Sequence, residues 1–392
     1  MKILLVNDYA TPTGGAELIM LALRQQLREL GHDARLFASS ARPLNKKSEA
    51  DYECLGTTSK FRTLLQSSNP WAVTKVSKVL SEFNPDVVHV RIFLTQLSPS
   101  ILPLLIDFPT IYHVAWYRPI CPLGTKKLPS GDICQSPVGT ACYQNKCLPI
   151  HDWLPIMLQM KLWNNWQHAF NLVVANSYFV KRQLASQGVN ATEVVWNGVP
   201  SRPMCSDLSP YPTVVFAGRL VVEKGLDVLI KAFREVIKQI PQARLLIAGA
   251  GTEKNNLLAL VSELELGDRI TFLGHLSREQ MEQVFKESWV QVVPSQWQEP
   301  FGIVAAEAMM RGKAVIASNL GGLSEIVQHN KTGLLFRHDN IQELASSIIR
   351  ILGNVNLARD MGETGREIAL ANFSEEAFTK KFLDLYQQIQ TD

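Results

Sequence analysis

"WVQVVPSQWQEPFGIVAAEAMMRGKAVIAS", Trp289 to Ser318, decides the fold. It opens on a β-rich apolar run, WVQVV, and breaks into a loop around Pro294 and Pro300. From Phe301 or Gly302 a small-residue helical pattern begins, and Gly312 stops it. A second strand-like run, AVIAS, follows. Strands that are apolar throughout, separated by helices, read as a parallel sheet covered on both faces. Two carboxylates punctuate the stretch: Glu299 in the loop and Glu307 eight residues later, inside the helix. Two nearby carboxylates suggest an acid–base pair. The helix start between them suggests something else. The amides of Phe301, Gly302, Ile303 and Val304 lack intrahelical acceptors and suit phosphate oxygens. The two oxygens of Glu307 match a vicinal diol such as a ribose, and Glu299 suits sugar hydroxyls. Ala305, Ala306 and Ala308 leave room for close approach. Taken alone, Glu307 is more often a plain surface glutamate.

Outward from this stretch the same alternation recurs. After it comes the strand GLLF (333–336), then a helical pattern over 341–390. Before it lie the strands TVVFAG (213–218), RLLIAG (244–249) and RITFLG (269–274). Residues 196–213, WNGVPSRPMCSDLSPYPT, are aperiodic and rich in Pro and Ser, which marks a linker. A first alternating series precedes it: KILLVN, DARLFAS, DVVHV, TIYHV and LVVAN. The chain therefore predicts two Rossmann-like, doubly wound α/β domains facing an interdomain cleft that collects the carboxyl ends of their strands. The expected boundaries are 1–198 and 199–375, with a terminal helix at 376–392 returning toward the first domain.

Other loops at those strand ends offer complementary chemistry. In GRLVVEKG, Arg219 and Lys224 stand five residues apart across one strand-to-helix loop, a spacing that suits a diphosphate. Gly274, His275 and Leu276 follow the third strand of the series, where a base could lie. Gly14 and Gly15 precede a helix over 15–30, so their amides could approach an anion. A plain turn explains that glycine pair equally well. No G-x-G-x-x-G fingerprint and no G-x-x-x-x-G-K-[ST] loop occurs, which disfavours a dehydrogenase and a P-loop enzyme.

The net charge of +3 excludes a dedicated nucleic-acid binder. The first 200 residues carry 19 Lys+Arg against 13 Asp+Glu, a mildly basic half that could face an anionic lipid surface or an acidic substrate. MKILLVNDY reads as a strand and not a signal peptide, so the expectation is a cytoplasmic protein, peripheral at the membrane at most.

GRLVVEKG followed by EPFGIVAAEA resembles the donor half of the retaining glycosyltransferases of family 4, which have the GT-B fold. GGAE (14–17), IYHVAWYRPICPLG and NGV (197–199) resemble further segments of that family, so the resemblance covers nearly the whole chain. It implies a metal-independent hexosyltransferase with no required cofactor. The donor would be a nucleotide-diphosphate sugar, UDP-glucose on family frequency. The acceptor would be saccharide or lipid-linked. Arg219 and Lys224 would hold the diphosphate, Glu307 the ribose, and Glu299 the donor sugar. Gly15 would offer its amide to the distal phosphate. His113 would sit near the transferred sugar and the acceptor. Relatives often have Asp after this histidine; here Val114 follows. The alternatives are a sugar-nucleotide epimerase or phosphorylase of the same fold and a non-catalytic nucleotide-sugar binder. No pyridoxal-phosphate lysine site is found, and the intact Arg/Lys/Glu/Glu set argues against mere binding.

Residues 115–150 form a long irregular segment carrying Cys121, Cys134, Cys142 and Cys147. Zinc, disulfides and free thiols all remain open for them, and the lack of a C-x2-C pair weakens zinc. The helix after it repeats Trp153, Met157, Met160, Trp163 and Trp166 at helical spacing. That stripe is either core or an exposed face for a lipid-linked acceptor. Arg118, Lys126 and Lys127 are the expected cations bordering the acceptor.

Overall fold

The computed structural model describes all residues except 13, 43–46, 60–61, 206–207 and 392. Two positions of the expected linker, the residue before the Gly14–Gly15 pair and the last residue of the expected terminal helix therefore lie outside the described residues. Contacts divide the chain into two units, Met1–Gly198 with Glu375–Asp392, and Val199–Ser374. Both are α/β and purely parallel, and no described helix is long and apolar enough to cross a membrane.

The first unit holds a seven-stranded sheet of β1 (Lys2–Asn7), β2 (Asp33–Ser39), β3 (Tyr52–Cys54), β4 (Val87–Ile92), β5 (Thr110–Val114), β6 (Leu172–Ala175) and β7 (Glu193–Val194). Their order is β3-β2-β1-β4-β5-β6-β7, so the topology reverses between β1 and β4. Asp8 ties that reversal together. Its two carboxylate oxygens accept the amides of Thr95, Gln96 and Leu97 at 2.7–2.9 Å, just beyond β4. Asp8 is fully buried, and desolvation raises its pKa against those bonds.

The second unit holds β8 (Thr213–Ala217), β9 (Arg244–Ala248), β10 (Ile270–Gly274), β11 (Val290–Val293), β12 (Ala314–Ser318) and β13 (Gly333–Phe336). Their order is β10-β9-β8-β11-β12-β13, with the reversal between β8 and β11. The helix Leu226–Gln239 forms because Leu226, Leu229, Ile230, Phe233 and Val236 recur on one face, and all are buried. It packs against the helix Ile341–Leu352, which buries Leu344, Ile348 and Ile351 by the same spacing. At ~1.5–3 kcal/mol for each large apolar side chain, this pair is a principal source of the unit's stability.

The run 341–390 is helical but not one helix. It is cut into Ile341–Leu352, Val355–Asn372 and Glu375–Thr391. Asn354 caps the second, its side chain accepting from the Leu357 amide. The third belongs to the first unit. There Phe378, Phe382 and Tyr386 are buried. Phe382 lies 4.5 Å from the His89 ring and 4.8 Å from the His113 ring, and Tyr386 Oη meets His89 Nδ1 at 2.5 Å.

Candidate active site

In the second unit four strand-to-helix loops are stitched together by backbone bonds. Gly218 and Leu220, after β8, donate to Ala248, the last residue of β9, and Ala250 beyond it. Gln296, after β11, donates to Glu223 in the β8 loop, and Gly322, after β12, donates to Glu299. Gly225 sits at φ +64°, and a Cβ there would meet the Pro294 carbonyl oxygen at 2.0 Å. Only glycine lets the β8 and β11 loops approach this closely. The carboxyl edge of the sheet, at its topological reversal, is thus a single built surface of the kind on which α/β proteins bind ligands.

On it Lys224 and Glu299 meet. Lys224 Nζ donates to Glu299 Oε1 at 2.6 Å, and Ser295 Oγ donates to the same oxygen at 2.5 Å. Glu299 is 7% exposed, and the lysine lies 5.9 Å from the Trp297 ring centroid. A buried pair of this kind keeps both charges fixed. Arg219 is in the same loop but points outward, with its side chain 69% exposed and 3.5 Å from Glu223. The structure does not bring Arg219 onto the Lys224–Glu299 pair.

The helix Ile303–Met310 starts beside Glu299, with Gly302 at φ +108° and no side-chain cap. Its internal bonding begins with Ala305 and Ala306 donating to Gly302, so the amides of Ile303 and Val304 precede the first intrahelical bond. Phe301 is buried against Phe373, so its side chain serves the core. Glu307 is half-buried on this helix. Burial raises its pKa, partly offset by Arg311 and Arg202. Arg311 is held by a two-pronged bond to Glu282, at 2.9 and 2.7 Å, and caps the Glu307 carbonyl at 2.7 Å. Gly274 ends β10 at the sheet's edge, and His275 and Leu276 follow it; His275 is exposed, and the Gly274 carbonyl accepts the Gly249 amide.

In the first unit Gly14 and Gly15 open the helix Gly15–Glu29 without a side-chain cap, and Gly15 is exposed. The Glu17 carboxylate folds back over this turn: a Cβ on Gly14 would meet its Oε2 at 2.4 Å. Burial raises the pKa of Glu17.

Two expectations need correction. His113 has no exposed surface. Arg91 Nη1 approaches its ring nitrogens at 2.6 and 2.9 Å, and Phe378 and Phe382 cover it. Desolvation and Arg91 hold it well below the usual histidine range, so it is a neutral packed ring and not a group presented to ligand. Arg118 is also interior, donating to the Leu94 carbonyl and to Gln66. Lys126 is 4% exposed and donates to the Ser136 carbonyl. Neither borders an open acceptor surface; Lys127, half-buried, is the remaining cation of the three. The Trp/Met stripe takes the core reading of the two and turns inward. Trp163 and Met160 are buried, while Ile150, Leu154 and Leu158 occupy the exposed face.

Sequence reasoning missed Ser295, which fixes Glu299, and Arg91, a fully buried guanidinium that also donates to Asn197. A lone arginine inside the apolar run VVHVRI was the available signal for the latter.

Two parallel α/β units with loops built up at the carboxyl edge define the GT-B class of glycosyl-transferring enzymes. The chain belongs to the family 4 glycosyltransferases: the model "Glycosyltransferase Family 4" matches residues 13–202 and "Glycosyl transferases group 1" matches 208–368. It is 25% identical to N-acetyl-alpha-D-glucosaminyl L-malate synthase of Bacillus anthracis over 97% of this chain and 95% of that one. Matches to several other curated relatives, at 30–32% identity, span about half of those proteins' length, 44–59%. Among solved structures, sucrose-phosphate synthase from Thermosynechococcus elongatus superposes with a TM-score of 0.73 at 24% identity, covering 99% of both chains. HepE from Anabaena, solved with UDP, gives 0.71 at 21% identity, covering 99% of this chain and 100% of that one.

Proposed function

We propose that this glycosyltransferase is a retaining, metal-independent hexosyltransferase with UDP-glucose as donor. The observation that carries the reading is the Lys224–Glu299 contact at 2.6 Å. A sugar nucleotide has its anomeric carbon bonded directly to a phosphate oxygen. A cation for that phosphate and a carboxylate for the adjoining sugar hydroxyls must therefore be neighbours. Lys224, joined by Arg219 once its exposed side chain swings in, stabilises charge on the leaving diphosphate, work that a metal ion does elsewhere. The Ile303 and Val304 amides take phosphate oxygens and Glu307 the ribose diol. The acceptor hydroxyl attacks the anomeric carbon on the face the diphosphate leaves, the anomeric C–O bond to phosphate breaks, and a leaving phosphate oxygen takes the hydroxyl proton. No enzymic nucleophile is assigned. The second unit binds the donor and the first the acceptor, saccharide or lipid-linked, in the cytoplasm and at most peripherally at the membrane. The UDP and UDP-glucose complexes of HepE support a uridine donor.

A thermal-shift screen of nucleotide sugars, with and without Mg2+, tests this, followed by hydrolysis of the hit. UDP-glucose should give the largest stabilisation, unchanged by EDTA, and release UDP slowly. A larger shift with a guanosine or adenosine sugar would overturn the donor. Dependence on Mg2+ would overturn metal independence, and binding without turnover would overturn the transfer reading.

A further inference from the structure

The segment 115–149 is long and irregular. It contains one short helix, Ala141–Gln144, and an isolated antiparallel bridge between Lys127 and Ile133. Left-handed backbone recurs along it at Gly124, Lys126, Gly131 and Lys146. Side chains exposed to water are frequent between residues 125 and 147, so little apolar burial holds it. Loops of such length in compact domains need some other restraint to stay ordered.

Four of the six cysteines of the chain converge in this segment. Cys121, Cys134, Cys142 and Cys147 all line one cavity of about 20 Å3, large enough for one water-sized sphere. Its other walls include Pro122, Leu123, Pro137, Ala141 and Leu148, and no carboxylate or imidazole lines it. All four thiols are free. As they stand, no group of three or more His, Cys, Asp or Glu among the described residues is placed so that it could hold a metal ion. Cys134 Sγ lies 3.8 Å from the Ser136 carbonyl oxygen and Cys147 Sγ 3.9 Å from that of Asn145. One shared ion requires the four sulfurs to draw together from these positions.

A second observation is independent of the sulfurs. Lys126 is 4% exposed as a residue, its ammonium makes a part-buried bond to the Ser136 carbonyl at 3.1 Å, and it has no ion-pair partner among the described residues. An ammonium buried without a counter-charge is costly. The whole segment is skewed the same way: Arg118, Lys126, Lys127 and Lys146 stand against Asp132 alone. That excess of cations favours negative charge within the segment.

We propose that Cys121, Cys134, Cys142 and Cys147 bind one zinc ion as four thiolates, forming a structural cross-link for segment 115–149. Zinc favours a closed tetrahedral array of four sulfurs in structural sites. Four thiols lose four protons to solvent and the ion brings two positive charges, so the centre carries a net charge of −2. Lys126 then has its counter-charge. The site has no open position and takes no part in glycosyl transfer; it stands whether or not the donor assignment does.

The test is metal analysis of the full chain purified without chelators or reductant-stripping. One zinc per chain is expected. Replacing it with Co2+ should give the charge-transfer and ligand-field absorption of tetrahedral thiolate coordination. Iodoacetamide should spare all four cysteines until a chelator is added. The Cys134→Ser/Cys142→Ser variant should lose zinc to background. Because that variant can misfold, the wild-type chain decides. No zinc as purified and none taken up from ZnCl2 would overturn the proposal. So would an intact mass showing disulfides among these four.

Discussion

Lys224 is one side chain asked to serve two partners. In the free protein it neutralises Glu299; with donor bound it must also face a diphosphate. Removing it leaves Glu299 buried and unpaired and the leaving group unstabilised. Lys224→Ala should therefore lower kcat by about 10²–10³-fold, the usual effect of deleting one transition-state charge contact. UDP release in steady state checks this, and near-wild-type turnover would remove Lys224 from the site. Glu307 has a different signature. Its carboxyl titrates above the usual carboxylate range because it is half-buried. Only the ionised form accepts two ribose hydroxyls, so donor affinity should fall as pH drops from neutral through that raised pKa. Glu307→Gln should weaken donor binding about 10-fold, the worth of a lost charged hydrogen bond, and flatten this pH profile. The stability sign is opposite. A carboxylate whose folded pKa is raised gives stability below its unfolded pKa and loses it as pH rises through the folded value. At neutral pH the Gln variant should thus melt higher while binding donor less tightly, a coupled shift that calorimetry and binding titration read separately.

At the scale of elements, the helix Ile303–Met310 depends on the backbone before it. Gly302 stands at φ +108°, and a Cβ there would meet Leu323 Cδ2 at 2.5 Å. Gly302→Ala should cost about 1–3 kcal/mol of strain and displace the helix start. The melting transition of the second unit should fall by several degrees and donor KM should rise. An unchanged melting curve would show that the turn relaxes freely. Much of this architecture was legible in the chain. TIYHV, AVIAS and GLLF are strands at the residues where their unbroken apolar runs lie. What was not legible follows from what a linear pattern cannot hold. Tyr52–Cys54 and Glu193–Val194 are strands only because a neighbouring strand pairs with them at the sheet edges. Arg118, Lys126 and His113 looked available because their residue types suit a polar cleft. Their burial is set by the Leu94 carbonyl, the Ser136 carbonyl and Phe382, partners remote in sequence or hidden by the turn of a loop. Glu299 and Lys224 read correctly as neighbours in chemistry, but Ser295, the third member, gave no signal beyond being a serine in a loop.

For the whole molecule, acid should strike the first unit first. His89 is buried and neutral, its pKa lowered to about 3 by desolvation and by Arg91. His113 beside it is also held well below the usual histidine range, by desolvation and by Arg91. In the unfolded chain both titrate near 6.5. Between these values the unfolded state binds more protons, so stability falls as pH falls below about 6.5, by about 1.4 kcal/mol per pH unit for each histidine. Asp8 and Glu17, with raised pKa values, act in the opposite sense and only nearer their own range. Melting between pH 6.5 and 5 should therefore show a steep acid decline assigned to the first unit. His89→Phe should lower stability at neutral pH, by leaving the Tyr386 hydroxyl without its partner, and halve the slope. A slope unchanged in that variant would sink the assignment.

The return of Glu375–Thr391 to the first unit also sets a timetable for the chain's birth. Phe378, Phe382 and Tyr386 close over His89 and His113, yet a ribosome joins them only after all of Val199–Ser374. The unit that begins first can then be completed only after the second unit has its whole sequence. Vectorial synthesis usually lets the leading domain mature first; here the order is reversed, and the nascent first unit waits with its histidine-lined seam open until Glu375–Thr391 has been made.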